Sequence, residues 1–279
     1  MDIKQYISQL NLPQKDSHKG QNGKLLIIGG SELFHAASAW SLEIASKIVD
    51  MVFYSSVLEN NELIREAKKH FWNGVIVPRG EVESYIDEAD VVLIGPGMER
   101  VGERLSAEQT TIDWEHDTYG ITNYLLKKYS NKKWVVDAGA LQMVEPSLLN
   151  AHMIITPHAQ EFSRVFKEEG TLQAAENMSQ QHGGVSIVLK GIEDIVTNGT
   201  QTEKISGGNE GMTKGGTGDV LAGLIASLYC TNDAFTSAVV GSYLNKKAGD
   251  ELYEGVGPFF SATDLVGQLA RTMKNIFYT

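Results

Sequence analysis

The sequence predicts an α/β fold of three layers, with helices on both faces of a mostly parallel central sheet. Two observations carry that prediction. Short apolar runs, such as LLII at residues 25–28 and VVLI at Val91–Ile94, show no polar alternation, as expected of strands buried on both faces. Segments of helical period separate these runs, and strand–helix alternation builds parallel sheets.

Each element follows in order. Residues 25–28 form a first strand, closed by Gly29 and Gly30. Residues 36–49 (AASAWSLEIASKIV) read as a helix whose small residues are most simply explained by close packing on the sheet. A strand at 52–55 precedes a helix at 59–71, with residues 62–69 as a solvated charged face. A short strand at 75–77 and the strand Val91–Ile94 follow, the latter ending in Gly95-Pro96-Gly97. Residues 98–117 are charged and lack a period, so they read as irregular. Residues 134–136 end in Asp137, and Met153–Ile155 ends in Thr156-Pro157-His158. Two short helices fill 159–182, and Ser186–Leu189 ends in Lys190-Gly191. Asn198-Gly199, between 195–197 and a segment reaching Ile205, marks a hairpin. From 217 onward the chain is helical, over 217–230, 233–253 and 262–277. No repeat or low-complexity linker divides residues 1–279, which predicts a single domain.

Composition removes several function classes. The 279 residues hold 24 Lys+Arg against 35 Asp+Glu, a net charge of −11, so neither nucleic acid nor an anionic membrane is attracted overall. Trp72, Trp114 and Trp134 are not interleaved with basic residues, as a nucleic-acid platform would require. The lone Cys230 can build neither a disulfide nor a cysteine zinc site and is expected to be buried and inert. The first twenty residues are polar, with no signal-peptide core, and no apolar run approaches 18 residues. A cytoplasmic location is the expectation.

Ligands of open parallel sheets gather at the carboxyl ends of the strands. If the strands are parallel, Gly29-Gly30-Ser31, Gly95-Pro96-Gly97, Asp137, Thr156-Pro157-His158 and Lys190-Gly191 share one rim. The densest signal is GGNEGMTKGGTGD at residues 207–219, running straight into the apolar helix. Glycines let backbone amides converge on an anion, and the following helix adds free N–H groups and the positive end of its dipole. Asp219 falls in the first helical turn, where it could take a proton from a hydroxyl as a phosphoryl group arrives. The plainer reading is a glycine-rich loop with Thr217 as the N-cap. No Walker A loop occurs, and no G-x-G-x-x-G follows a strand. Plain readings exist elsewhere too: Asp137 as a helix cap, Lys190 as a surface lysine, His158 as a satisfied polar group. His158 and Glu161, three apart, could share a helix face, but two ligands do not make a zinc site.

The segment GNEGMTKGGTGDVLAG resembles the signature of the NAD(P)H-hydrate dehydratase family, part of the ribokinase-like superfamily. GKLLIIGGS, VVLIGPGM, WVVDAGAL, IITPHAQEF and IVLKG resemble further family segments, in the family's order. The resemblance implies a ribokinase-like fold and the repair of hydrated NADH or NADPH. A nucleotide, ADP or ATP, with Mg2+, would phosphorylate the ring hydroxyl, and loss of phosphate would restore the double bond. Asp219 would be the base, and Gly216, Thr217 and Gly218 of the loop beginning at Gly215 the anion hole. Lys190, Gly191, Ile192, Glu193 and Asp194 would line the adenylate site, with Gly218 near the nucleotide. Ala36, Gly97 and His158, with Asp219, would contact the hydrated cofactor. Glu161 and Asn209 would order magnesium or water near the phosphates. Family members often form tetramers.

Four places depart from the family pattern. His35 stands where glycine is usual and Gly139 where a second aspartate is usual, both on the expected substrate side. Ala159-Gln160 replace Pro-Gly, and Thr213-Lys214 replace Ala-Thr. Two other functions fit the same residues. One is a kinase of the same fold acting on a small-molecule alcohol, such as a hydroxyethylthiazole, a hydroxymethylpyrimidine or a sugar. The other is a non-catalytic nucleotide-binding protein.

Overall fold

The computed structural model describes residues 2–102 and 112–278. Its centre is a nine-stranded sheet of order β3-β2-β1-β4-β5-β6-β7-β8-β9. The strands β1 (Lys24–Ile28), β2 (Met51–Ser55), β3 (Val75–Ile76), β4 (Val91–Ile94), β5 (Lys133–Val136), β6 (Met153–Ile155) and β7 (Ser186–Leu189) pair in parallel. Their carboxyl ends therefore lie on one rim. Strands β8 (Asp194–Thr197) and β9 (Thr202–Ile205) add an antiparallel hairpin. Asn198 Oδ1 accepts from the amides of Thr200 and Gln201, and Gly199 takes φ +82° to close the turn.

Successive residues of a strand face opposite sides. Leu25 and Ile27 enter one core and Leu26 and Ile28 the other, all with no exposed surface. The first core is covered by α2 (Ala36–Ala45), α3 (Leu58–Ala67), α9 (Thr217–Tyr229), α10 (Ala234–Val256) and α11 (Ala262–Phe277). The second is covered by α4 (Val82–Glu88), α5 (Thr118–Lys128), α6 (Ala138–Met143), α7 (Ala159–Phe166) and α8 (Leu172–Gln181). The two-sided burial explains why the strand sequences lack polar alternation.

Some expectations need correction. Helix α2 stops at Ala45, and residues 46–48 continue as turns. Its small residues serve α9 as well as the sheet. A Cβ on Gly223 of α9 would come within 2.8 Å of Ser41 Cα and Ile44 Cγ2. The short α1 (Ile3–Ile7), α4, α5 and α6 were not foreseen. Helix α6 has six residues, too few to show a period, and α5 (TYGITNYLLKK) carries glycine and β-branched residues that blur one. Of the expected irregular stretch, residues 103–111 lie outside the described residues, and 112–117 contain neither helix nor strand. Among the described residues no helix is long and apolar enough to cross a membrane.

Candidate active site

Three neighbouring strand ends supply the polar floor of the rim. Asp137 follows β5, Thr156 follows β6 and Lys190 follows β7. Asp137 Oδ1 accepts from Thr156 Oγ1 at 2.7 Å and from Lys190 Nζ at 3.3 Å. Lys190 Nζ is also 3.8 Å from Glu161 Oε2. Asp137 is therefore no simple helix cap, and Lys190 no surface lysine: the ammonium lies between two buried carboxylates. Burial alone would lower the Lys190 pKa, but Asp137, Glu161 and Asp219 together hold it above its usual value.

The glycine loop brings Asp219 to this floor. The N-cap of α9 is Gly216, not Thr217, at φ +100°. A Cβ there would lie 2.4 Å from the Trp40 ring, so both backbone and space demand glycine. The Thr217 hydroxyl instead donates to the carbonyls of Met212 (2.7 Å) and Lys214 (3.0 Å), folding the loop back on itself. The Thr217 amide reaches Lys214 O at 3.4 Å, whereas the Gly216 and Gly218 amides have no acceptor among the described residues. Ser41 Oγ donates to the Asp219 carbonyl at 2.8 Å, locking the first turn of α9 to α2. Burial, then the nearby Asp137, push the Asp219 carboxyl up to about 7 against the opposing pull of Lys190. Buried carboxyls are harder to ionise, and a neighbouring negative charge adds to that cost.

Two cavities flank this helix terminus. One, of about 490 Å³, is lined by Lys190, Gly191, Ile192, Asp194, Gly218 and the loop from Gly207 to Glu210. The other, of about 640 Å³, is lined by Gly97, Gly139, His158, Glu161 and Asp219. Gly218 faces the first and its neighbour Asp219 the second. Glu193 is not on the first cavity, since its carboxylate turns to Ser206 and Lys204. Asp194 shapes that cavity from beneath, accepting from Gly191 N and from Ser242 Oγ.

On the second cavity, His158 and Glu161 form a reciprocal capping box on α7. The Glu161 amide donates to His158 Nδ1 at 3.2 Å, and the His158 amide donates to Glu161 Oε2 at 2.9 Å. Holding Nδ1 as acceptor leaves His158 Nε2 to carry the proton of the neutral ring. Ala36 is exposed and the next residue, Ala37, is the one that lines the cavity. His35 lies outside the lining, its Nδ1 2.7 Å from Asn60 Oδ1. Gly139 is in the lining, and a Cβ there would sit 2.0 Å from Met98 O, so this backbone leaves no room for the family's usual aspartate.

Glu161 and Asn209 are not brought together, since they line different cavities. Glu161 Oε1 accepts from Gln142 Nε2, and Asn209 spends its side chain on Gly211 N and Asp250. Among the described residues no group of three His, Cys, Asp or Glu could hold a metal ion. Cys230 is buried, and burial pushes its thiol pKa up, as expected of an inert cysteine.

Sequence reasoning missed Lys246. This lysine of α10 donates to the carbonyls of Gly191 (3.0 Å), Ile192 (3.0 Å) and Gly207 (3.2 Å) and lies 3.3 Å from Asp194 Oδ1. One turn later Asp250 accepts from Gly208 N and Asn209 Nδ2. Only the i,i+4 spacing of these two charges hinted at a shared face. A family model described as NAD(P)H-hydrate dehydratase matches residues 25–271.

The chain belongs to the NAD(P)H-hydrate dehydratase family. It is 34% identical over 275 residues to the bifunctional NAD(P)H-hydrate repair enzyme Nnr of Methanocaldococcus jannaschii, covering 96% of this chain and 51% of that protein. The chain thus spans about half the length of the first curated relatives it matches. It is 30% identical over 281 residues to an ADP-dependent (S)-NAD(P)H-hydrate dehydratase of Cenarchaeum symbiosum, covering 94% of this chain and 92% of that one. The ribokinase-like fold recurs among solved structures. One is the ADP/ATP-dependent NAD(P)H-hydrate dehydratase of Bacillus subtilis, co-crystallised with ATP and Mg2+: TM-score 0.75, 20% identity, 98% of this chain and 96% of that one.

Proposed function

We propose that this chain dehydrates hydrated NADH or NADPH, using a nucleotide to convert the ring hydroxyl into a phosphate leaving group. The observation that carries this reading is the pair of cavities on either side of the α9 terminus, Gly218 lining one and Asp219 the other. Asp219, a carboxylate with a pKa near 7, stands on the substrate side, and two unengaged amides lie within three residues of it.

The chemistry follows from that placement. Nucleotide occupies the cavity under Lys246, and the hydrated ring lies beside Asp219. Asp219 takes the proton of the ring hydroxyl as the hydroxyl oxygen attacks the terminal phosphoryl group, whose bond to the nucleotide breaks to release AMP from ADP or ADP from ATP. The Gly216 and Gly218 amides and the α9 dipole hold the phosphoryl oxygens, with Lys190 balancing the charge. The C–O bond then breaks with release of inorganic phosphate. A proton leaves the adjacent ring carbon, and the double bond returns. Net charge gives no help with anionic ligands, so attraction comes from this local field. ADP is the first donor to test, since the Cenarchaeum relative is named ADP-dependent. Mg2+ would come with the nucleotide phosphates, since among the described residues no cluster of metal-ligating side chains is assembled.

The test is to mix the protein with hydrated NADH, ADP or ATP, and Mg2+, and follow absorbance near 340 nm. Recovery is expected with at least one nucleotide, together with release of inorganic phosphate. No recovery with either nucleotide rejects the proposal. The absence of a family carboxylate at Gly139 favours one competing reading, an alcohol kinase. A stable phosphorylated alcohol in place of phosphate and alkene would establish it.

A further inference from the structure

The larger cavity carries a second polar feature that proton transfer does not use. Gln142 of α6 points its amide nitrogen at Glu161 Oε1 (3.1 Å) and at Ala138 O (3.2 Å). With the nitrogen so held, the amide oxygen faces the cavity mouth. There it accepts from Arg164 Nη1 and, at 3.4 Å, from Arg100 Nη1. Arg164 comes from α7, one turn beyond Glu161, and Arg100 from the loop after β4. Among the described residues neither guanidinium pairs with a carboxylate, although acids outnumber bases in the chain. The nearby carboxylate of Glu161 is turned to Lys190 and the His158 amide.

Two guanidinium groups gathered on one neutral oxygen repel each other unless an anion joins them. Planar N–H forks suit the paired oxygens of phosphate groups. Both arginines and Asp219 line the same cavity. We propose that Arg100 and Arg164 form the subsite for the diphosphate bridge of the dinucleotide substrate, with Gln142 setting their spacing. This rests on the proposed function, in which the ring at the other end of the bridge lies beside Asp219. The subsite would make the enzyme choose a whole dinucleotide over a truncated nicotinamide riboside.

The test compares R100Q, R164Q and the double variant with the unaltered chain on two substrates, hydrated NADH and hydrated reduced nicotinamide riboside. In the double variant, the ratio of kcat/KM for dinucleotide over riboside should fall at least tenfold, mainly through KM, with the KM for ADP unmoved. Binding of NADH, followed by its own fluorescence, should weaken by a similar factor. An unchanged ratio, as from a purely structural loss that lowers both substrates alike, overturns the inference. So does a rise confined to the KM for ADP, which would assign the arginines to the nucleotide. If the unaltered chain turns over neither hydrate, the proposed function fails by itself. NADH fluorescence then still decides the subsite: equal affinity for the unaltered chain and the double variant overturns it.

Discussion

As the proposed base, Asp219 has to be ionised to act, yet its surroundings oppose ionisation. Its folded pKa is raised from 3.8 to about 7 by burial first and Asp137 second. A base works only in its charged form, so kcat/KM should climb about tenfold per pH unit below 7 and level off above it. Asp219→Asn should lower kcat by about 10² to 10⁴ and erase that limb. A pH series of initial rates checks both, and a near-normal rate in the variant would remove Asp219 from the chemistry. Asp137→Asn tests the electrostatic cause. It removes the negative charge that raises Asp219 and leaves Lys190 freer to stabilise the carboxylate, so the acid limb should move to lower pH. A limb fixed in place would mean that Asp137 acts only through structure. Asp219 and its glycines were legible in sequence because a glycine-dense loop entering an apolar helix has few structural uses. The roles of Asp137 and Lys190 were not, because partners 53 residues apart meet only when β5, β6 and β7 align.

Helices α9 and α10, packed in the same layer, both hold the site, and their sequences reveal this unequally. The small residues of α2 announce close packing on the sheet, but not that Gly223 of α9 also presses against them. Lys246 sits in the run YLNKKAGD and reads as solvated, yet its side chain is only 9% exposed. Three backbone carbonyls and Asp194 surround its ammonium, so α10 clamps the 191–192 and 207 loops at the cavity proposed for the nucleotide. Lys246→Met should loosen both loops and raise the KM for ADP about tenfold while leaving the KM for the hydrate within twofold. The Tm should fall as well, because Asp194 keeps its buried charge without its cation. Lys246→Arg should restore part of the Tm. Steady-state kinetics with each substrate varied in turn is the check, and equal movement of both KM values would argue against a local clamp.

At the scale of the whole molecule, the order of strands was the hardest feature to read. Apolar runs announced the strands, and their burial on both faces announced a parallel sheet. Nothing local says that β1 lies between β2 and β4, which depends on long-range pairing. That order places Gly97 and His158 on one cavity and Lys190 and Gly191 on the other, with α9 between them. Two ligands on either side of one helix terminus should stabilise the folded chain separately. A ligand at one hundred times its Kd adds about 2.7 kcal/mol to folding stability. AMP, a non-transferring occupant of the nucleotide cavity, and NADH, the repaired product, should each raise Tm when added at that excess. Together they should raise it by nearly the sum, since neither cavity has to close for the other to fill. At the same ligand concentrations Lys246→Met should lose about half of the AMP increment and keep that of NADH, and the paired arginine variant should do the reverse. Differential scanning calorimetry across the four ligand conditions measures this. If NADH abolished the AMP increment, the two ligands would be sharing one cavity, and the assignment of nucleotide and hydrate to opposite sides of α9 would have to be given up.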